Sequence, residues 1–245
     1  MKIGTLYGIG VGPGDPDLIT VKGANVLRRS AHVFVPKARK AAESVALAIA
    51  RRHVSPSAKI HEIVFPMTTD RSELLARWEE SARTVADVLE TGIDACFLTL
   101  GDAFLYSTYI YLVKALRRRI PEVKVVTVPG ITAFSAAAAL AEFPVGEGKE
   151  MVTIVPTADD LEPVRRALQV GGTVVLMKIG KRLPQILDLL EEADAIDRSV
   201  FVSHAGMETE RIEIDLSKLR TGDPEKTGYL SILLIHKRTE GEEAQ

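Results

Sequence analysis

Residues Ala95 to Leu112 read ACFLTLGDAFLYSTYIYL. The opening run, Ala95-Cys96-Phe97-Leu98-Thr99-Leu100, is unbroken and apolar, which predicts a strand covered on both faces. The chain then turns on Gly101-Asp102, where glycine permits a left-handed φ or a close backbone approach. Tyr106-Ser107-Thr108-Tyr109 follows, and an apolar helix runs on to Arg117-Arg118-Arg119. A buried strand that breaks into a Gly-Asp turn and a polar, aromatic loop is the build of a ligand crevice. In open α/β sheets such crevices lie at the carboxyl ends of the strands.

Composition bounds what this stretch belongs to. The chain has 245 residues, 46% hydrophobic and 26% charged, an ordinary globular balance. That length suits one large domain or two small ones. A net charge of -2 argues against broad, non-specific binding to nucleic acid. The single cysteine, Cys96, sits inside the apolar run, which excludes a disulfide framework or a cysteine zinc site and reads as a small core hydrophobe. No apolar run reaches the roughly 18 residues of a spanning helix, and Met1-Lys2 leads straight into a strand without a signal-peptide pattern. A soluble cytoplasmic protein is expected.

Upstream, residues 3–11 (IGTLYGIGV) read as the first strand, with a tight loop, Gly10-Val11-Gly12-Pro13-Gly14-Asp15, after it. Asp15 suits an N-cap and Pro16 a first helical position, so one helix is expected through Leu18, Ile19, Ala24, Val26 and Leu27. The loop is not a dinucleotide fingerprint. From either Gly8 or Gly10 the third required glycine is missing (Pro13 and Asp15 stand there), and no acidic residue stands about 20 residues on. Residues 31–35 predict a second strand, Pro36 to Lys40 a basic loop, 42–52 a helix and 59–64 an edge strand. The clearest helix spans 70–90, with Leu74, Trp78, Ala82, Val85 and Leu89 on one stripe, Asp70 and Glu73 as a capping box, and Gly92 at the C-cap. Downstream, a buried strand over 123–128 leads into Pro129-Gly130-Ile131-Thr132 and a small-residue helix over 133–141. A second series follows: strands over 151–155, 173–178 and 199–203, helices over 161–168 and 183–192, and antiparallel strands over 210–214 and 229–235. The expected architecture is α/β in two domains, residues 1–120 and 121–238. Each is a mostly parallel sheet with flanking helices, the second closed by antiparallel strands, with residues 239–245 as a disordered tail.

Familiar catalytic signatures are missing. There is no P-loop, no H-E-x-x-H and no G-x-S-x-G, and the five histidines (His32, His53, His61, His204, His236) show no metal spacing, so no metal site is expected. What remains is a set of Gly and Pro loops with small residues. Such a set suits chemistry whose reactivity resides in the ligand. Methyl transfer from S-adenosylmethionine is one such reaction, because the protein mainly orders two reactants and excludes water. On these residues alone it ranks level with a nucleotide- or sugar-phosphate-binding enzyme.

Three motifs in order sharpen this. GIGVGPGD (Gly8 to Asp15), TLGDAFLYST (Thr99 to Thr108) and VPGITA (Val128 to Ala133) resemble the tetrapyrrole (corrin and porphyrin) methyltransferases, and the match covers nearly the whole chain. Within the family, the tyrosine-rich turn, with Pro36-Lys37 and Glu43-Ser44, looks most like the enzymes that methylate precorrin-2 at C20. The resemblance implies a two-domain, class III methyltransferase fold, a homodimer, and S-adenosylmethionine, with S-adenosylhomocysteine as product, bound between the domains. It also implies a reduced tetrapyrrole, precorrin-2 or its cobalt complex, as substrate in cobalamin biosynthesis, with no nucleic acid or membrane partner.

Carried over by position, the resemblance puts Pro13 at the cofactor or the substrate channel. It puts Gly101, Asp102 and Leu105 at the methionine end, with Thr132 and Ala133 also in contact. Met177 falls on the adenosine side, and Ala205, Leu230 and Ser231 near adenine. Ala103 stands where the family commonly has proline. Lys37, Arg39 and Lys40, with Arg28 and Arg29, are expected to meet substrate carboxylates, and Tyr106, Ser107 and Thr108 to face the substrate. No proton acceptor is nominated; Asp102, His204, Tyr106, Tyr109 and water remain open. The rival readings are another ring position (C11, C17 or the uroporphyrinogen III C2/C7 reaction), ribosomal RNA modification, and a non-catalytic cofactor-binding protein of the same fold.

Overall fold

The structure is a computed structural model and describes residues 2–37, 43–64, 70–157 and 160–237. Arg39, Lys40 and the tail 239–245 lie outside the described residues. By contacts the chain divides into two compact units, residues 1–132 and 133–245.

The first unit alternates strand and helix: β1 (Leu6–Gly10), α1 (Val21–Arg29), β2 (His32–Lys37), α2 (Val45–Ala50), β3 (Lys59–Val64), α3 (Arg71–Leu89), β4 (Ala95–Thr99), α4 (Tyr109–Arg119) and β5 (Val125–Val128). The sheet order is β3-β2-β4-β1-β5, all parallel. β4 is central and every one of its residues is buried. That is why its sequence is a continuous apolar run rather than an alternation. β5 pairs with β1 at the sheet's edge and is only half-buried apart from Val128, against the expectation of a buried strand. This pairing also keeps residues 125–128 in the first unit, although the expected boundary fell after residue 120.

The helix expected from Pro16 is two pieces. Asp15 caps only a 3-10 turn, Pro16–Leu18, and the chain re-enters the helical region at α1. There the Thr20 hydroxyl accepts from Gly23 N at 3.1 Å, an N-cap that the sequence pattern hid behind the more obvious Asp-Pro pair. α2 is likewise shorter than expected, with Ser44 as the N-cap before Val45. α3 begins as expected, with Asp70 accepting from the amides of Ser72 and Glu73. Ala82, Val85, Ala86 and Leu89 of α3 meet Leu112, Val113 and Leu116 of α4 in the core, and Trp78 stacks on Tyr111 at 4.3 Å.

The second unit comprises α5 (Ala133–Leu140), β6 (Val152–Pro156), α6 (Glu162–Val170), β7 (Gly172–Met177), α7 (Leu183–Glu192), β8 (Ser199–Ser203), β9 (Arg211–Glu213), α8 (Pro224–Thr227) and β10 (Ser231–Lys237). Its sheet is mixed, in the order β6-β7-β10-β8-β9, with β6 and β7 parallel and the other pairings antiparallel. The antiparallel β10 therefore lies in the middle of the sheet, not at its closing edge. Its run Ile232-Leu233-Leu234-Ile235 is apolar on both faces and is fully covered there. Leu233 and Ile235 join Leu176, Leu187 and Phe201 on one face, while Ile232 and Leu234 meet Ala137, Ala138, Val175 and Val202 on the other. Among the described residues no helix is long and apolar enough to cross a membrane, and no group of three or more His, Cys, Asp or Glu is placed to hold a metal ion.

Candidate functional site

β4, β1 and β5 are neighbours and point the same way, so the loops that follow them meet at one end of the sheet. They meet main chain to main chain. Val11 N donates to Thr99 O at 2.9 Å, Gly12 N to Gly101 O at 3.2 Å and Gly101 N to Gly12 O at 2.8 Å. Gly12 and Gly101 have φ of +83° and +67°, in the left-handed region that glycine tolerates. A Cβ on Gly130 would lie 2.2 Å from Gly101 O, and one on Gly10 2.6 Å from Gly130 N. The GPG and VPG patterns in the sequence are thus explained by backbones in contact, with Pro13 buried beside them.

Asp102 ties this cluster together. Its Oδ2 accepts from Phe104 N at 2.8 Å and its Oδ1 from Gly130 N at 3.0 Å. Leu105 and Thr132 are half-buried at the same end. The three turn residues expected to face a substrate, Tyr106, Ser107 and Thr108, separate here. Tyr106, with φ +52°, is exposed and Thr108 is half-buried. Ser107 points inward: its Oγ lies 2.7 Å from Thr99 Oγ1 and accepts from Tyr109 N at 3.1 Å. Tyr109 is fully buried, its ring over Gly8 and its hydroxyl 3.0 Å from Thr127 Oγ1. Burial pushes the Tyr109 phenol up, against the pull of the Thr127 hydrogen bond, which favours its neutral form.

Among the described residues, Lys37 does not cluster with Arg28 and Arg29. Lys37 ends β2 on the carboxyl side of the sheet, but its ammonium is 2.8 Å from Glu62 of β3 and its side chain is nearly buried. Arg28 and Arg29 end α1, next to the start of β2. They therefore lie at the amino end of the sheet, away from the glycine loops. The helix reverses the chain direction, which carries its last residues away from the loop that follows β1.

In the second unit the expected residues also share one end of the sheet. Register pairs Met177 with Ile232 and Ser203 with Ser231, which brings Met177, Ala205, Leu230 and Ser231 together. This end is conformationally strained: Lys178, His204 and Leu230 have φ of +57°, +52° and +47°. Non-glycine residues held there mark sites over-determined by their surroundings. His204 N donates to Leu230 O and Gly180 N to Gly228 O, both at 3.0 Å. The Ser231 hydroxyl donates to Gly228 O at 2.7 Å, and Thr157 donates to Met177 O through both N and Oγ1. Sequence reasoning overlooked this strain because no glycine marks those three positions. It passed over Gly180 and Gly228 although both were visible. Ala133 opens α5, half-buried.

Each of these two ends, taken by itself, offers main-chain polar groups and small side chains, and the second adds the Met177 thioether. Groups of that kind suit a ligand that needs hydrogen-bonding edges and apolar walls more than fixed charge.

A family model described as Tetrapyrrole (Corrin/Porphyrin) Methylases matches residues 5–219, and the chain belongs to that family of methyltransferases. Along nearly its whole length it is similar to individual enzymes. It is 35% identical to the cobalt-precorrin-2 C(20)-methyltransferase of Salmonella typhimurium, over 97% of this chain and 98% of that protein. It is 33% identical to a probable cobalt-precorrin-2 C(20)-methyltransferase of Methanocaldococcus jannaschii, over 95% and 96%. Its fold is also that of the uroporphyrin-III C-methyl transferase of Thermus thermophilus solved with S-adenosyl homocysteine, with TM-score 0.63, 20% identity, and 96% and 98% of the two chains covered.

Proposed function

We propose that this chain methylates C20 of cobalt-precorrin-2 with S-adenosylmethionine, as a step of cobalamin biosynthesis. The observation that carries this is end-to-end similarity to enzymes of that name, on a chain whose glycine loops meet at the carboxyl ends of β1, β4 and β5. The cofactor supplies an already activated methyl. Gly101, Asp102, Leu105 and Thr132 would hold its methionine end through main-chain groups. Ala133, Met177, Ala205, Leu230 and Ser231 would shape the nucleoside side. Pro13 stiffens the first loop, and Tyr106 and Thr108 are the turn residues left to face the tetrapyrrole. Lys37 would reach a substrate carboxylate only by leaving Glu62. Arg39 and Lys40 complete this proposed set. We extend the proposal to a homodimer in the cytoplasm, the former read by light scattering.

The test is to incubate purified protein with S-adenosylmethionine and enzymatically made precorrin-2, with and without cobalt. A gain of one methyl, placed at C20 by NMR and faster on the cobalt complex, is the expected result. Methylation at another ring carbon overturns the regiospecificity. No gain with the cofactor bound favours the non-catalytic reading.

A further inference from the structure

We propose that Asp102 is a positioning residue whose carboxylate fastens the Pro129-Gly130 turn to the Gly101-Asp102 turn, fixing the rim on which the cofactor's methionine end rests. The inference rests on the proposed function and assigns a role within it. β4 and β5 flank β1 on opposite sides and share no ladder. Their loops must cross the end of β1 to meet, and the bond from Gly130 N to Asp102 Oδ1, 3.0 Å, spans that gap.

Gly130 has no side chain with which to anchor itself, and its Cα packs so closely on Gly10 and Gly101 that none would fit. On the other side of the carboxylate, Oδ2 accepts from Phe104 N, two residues on, at 2.8 Å. This is an Asx turn, in which a short carboxylate replaces a main-chain acceptor. Ala103, fully buried between the two, does not restrict its own φ as proline would, so the Asx bond holds the turn in shape. The two amide donors approach from opposite sides and each meets a different oxygen. Aspartate has both, whereas asparagine has one acceptor and would aim its NH2 at an N–H. With both oxygens facing main-chain amides, the carboxylate acts through the loops and not on the substrate's proton.

The test compares wild type with Asp102→Asn. Calorimetry should show S-adenosylhomocysteine binding weakened about tenfold, and KM for S-adenosylmethionine should rise by a similar factor. kcat should stay within about twofold, and the shape of its pH profile should match that of wild type. Exchange of the Gly130 amide with deuterium should be slow in wild type and faster in the variant. A kcat that collapses with unchanged cofactor binding overturns the proposal in favour of a base. Unchanged binding and unchanged KM overturn it as well. If the variant does not fold, the wild-type Gly130 amide decides alone: protection supports the tether and fast exchange overturns it. A wild type that binds no S-adenosylhomocysteine defeats the proposed function, whereas equal binding by wild type and variant defeats only this inference.

Discussion

Single atoms decide much at the glycine loops. A methyl group at Gly130 would lie 2.2 Å from a carbonyl oxygen, and backbone cannot swing aside as a flexible side chain does. Gly130→Ala is expected to cost about 2 kcal/mol or more, read as a lower urea midpoint, with cofactor binding lost. A wild-type midpoint would show that the loops do not touch. Elsewhere, burial lowers His61 from 6.5, helped by the positive charge of His32 and Lys59; its Nε2 lies 2.8 Å from His32 Nδ1. The folded chain therefore resists a proton that the unfolded chain accepts. The contribution is whole above pH 6.5 and is lost as pH falls from there through the folded value. Urea midpoints should fall more steeply below that pH in wild type than in His61→Gln, and parallel curves would refute this. Cys96 is a quiet residue by comparison: burial pushes its thiol up to about 12, and it bonds Ser30 Oγ at 2.6 Å.

At the scale of elements, the turn between β4 and α4 shows how neighbouring residues part company. The sequence presents Tyr106 to Tyr109 as one polar, aromatic group. The helix that starts at Tyr109 and the strand that ends at Thr99 require an internal fastening, and Ser107 supplies it. Ser107→Ala leaves Thr99 and the Tyr109 amide without their partner. It should destabilise the protein by about 1–2 kcal/mol while KM for the tetrapyrrole stays near wild type. A large rise in KM at unchanged stability would return Ser107 to the substrate. The lesson repeats at α1, where Asp15-Pro16 looked like a helix start and Thr20 was the cap that led into the longer helix. Capping residues are common in loops, and which one succeeds depends on where the chain must turn to reach the sheet.

Over the whole molecule, each unit carries its own apolar core. Leu116 belongs to the core of the first and Leu187 to a core of the second, both fully buried. Leu116→Ala and Leu187→Ala should each cost about 2–5 kcal/mol. Hydrogen exchange in mild denaturant should show the loss of protection confined to the unit that carries the change. Loss in both units from either change would mean that the two fold as one cooperative body.

Sequence alone determined the alternation of strands and helices, the buried central strand, the three glycine motifs and the family they mark. These are local matters: apolar continuity, turn chemistry and motif order are written along the chain. Only tertiary structure decided that β10 runs through the middle of its sheet and β5 along an edge. It also decided that Lys37 is paired with Glu62 while Arg28 and Arg29 lie at the far end, and that Asp102 reaches Gly130 across the end of β1. Each of these depends on which strands become neighbours. That choice is made by the whole hydrophobic pattern and its connections, and no short stretch of residues contains it.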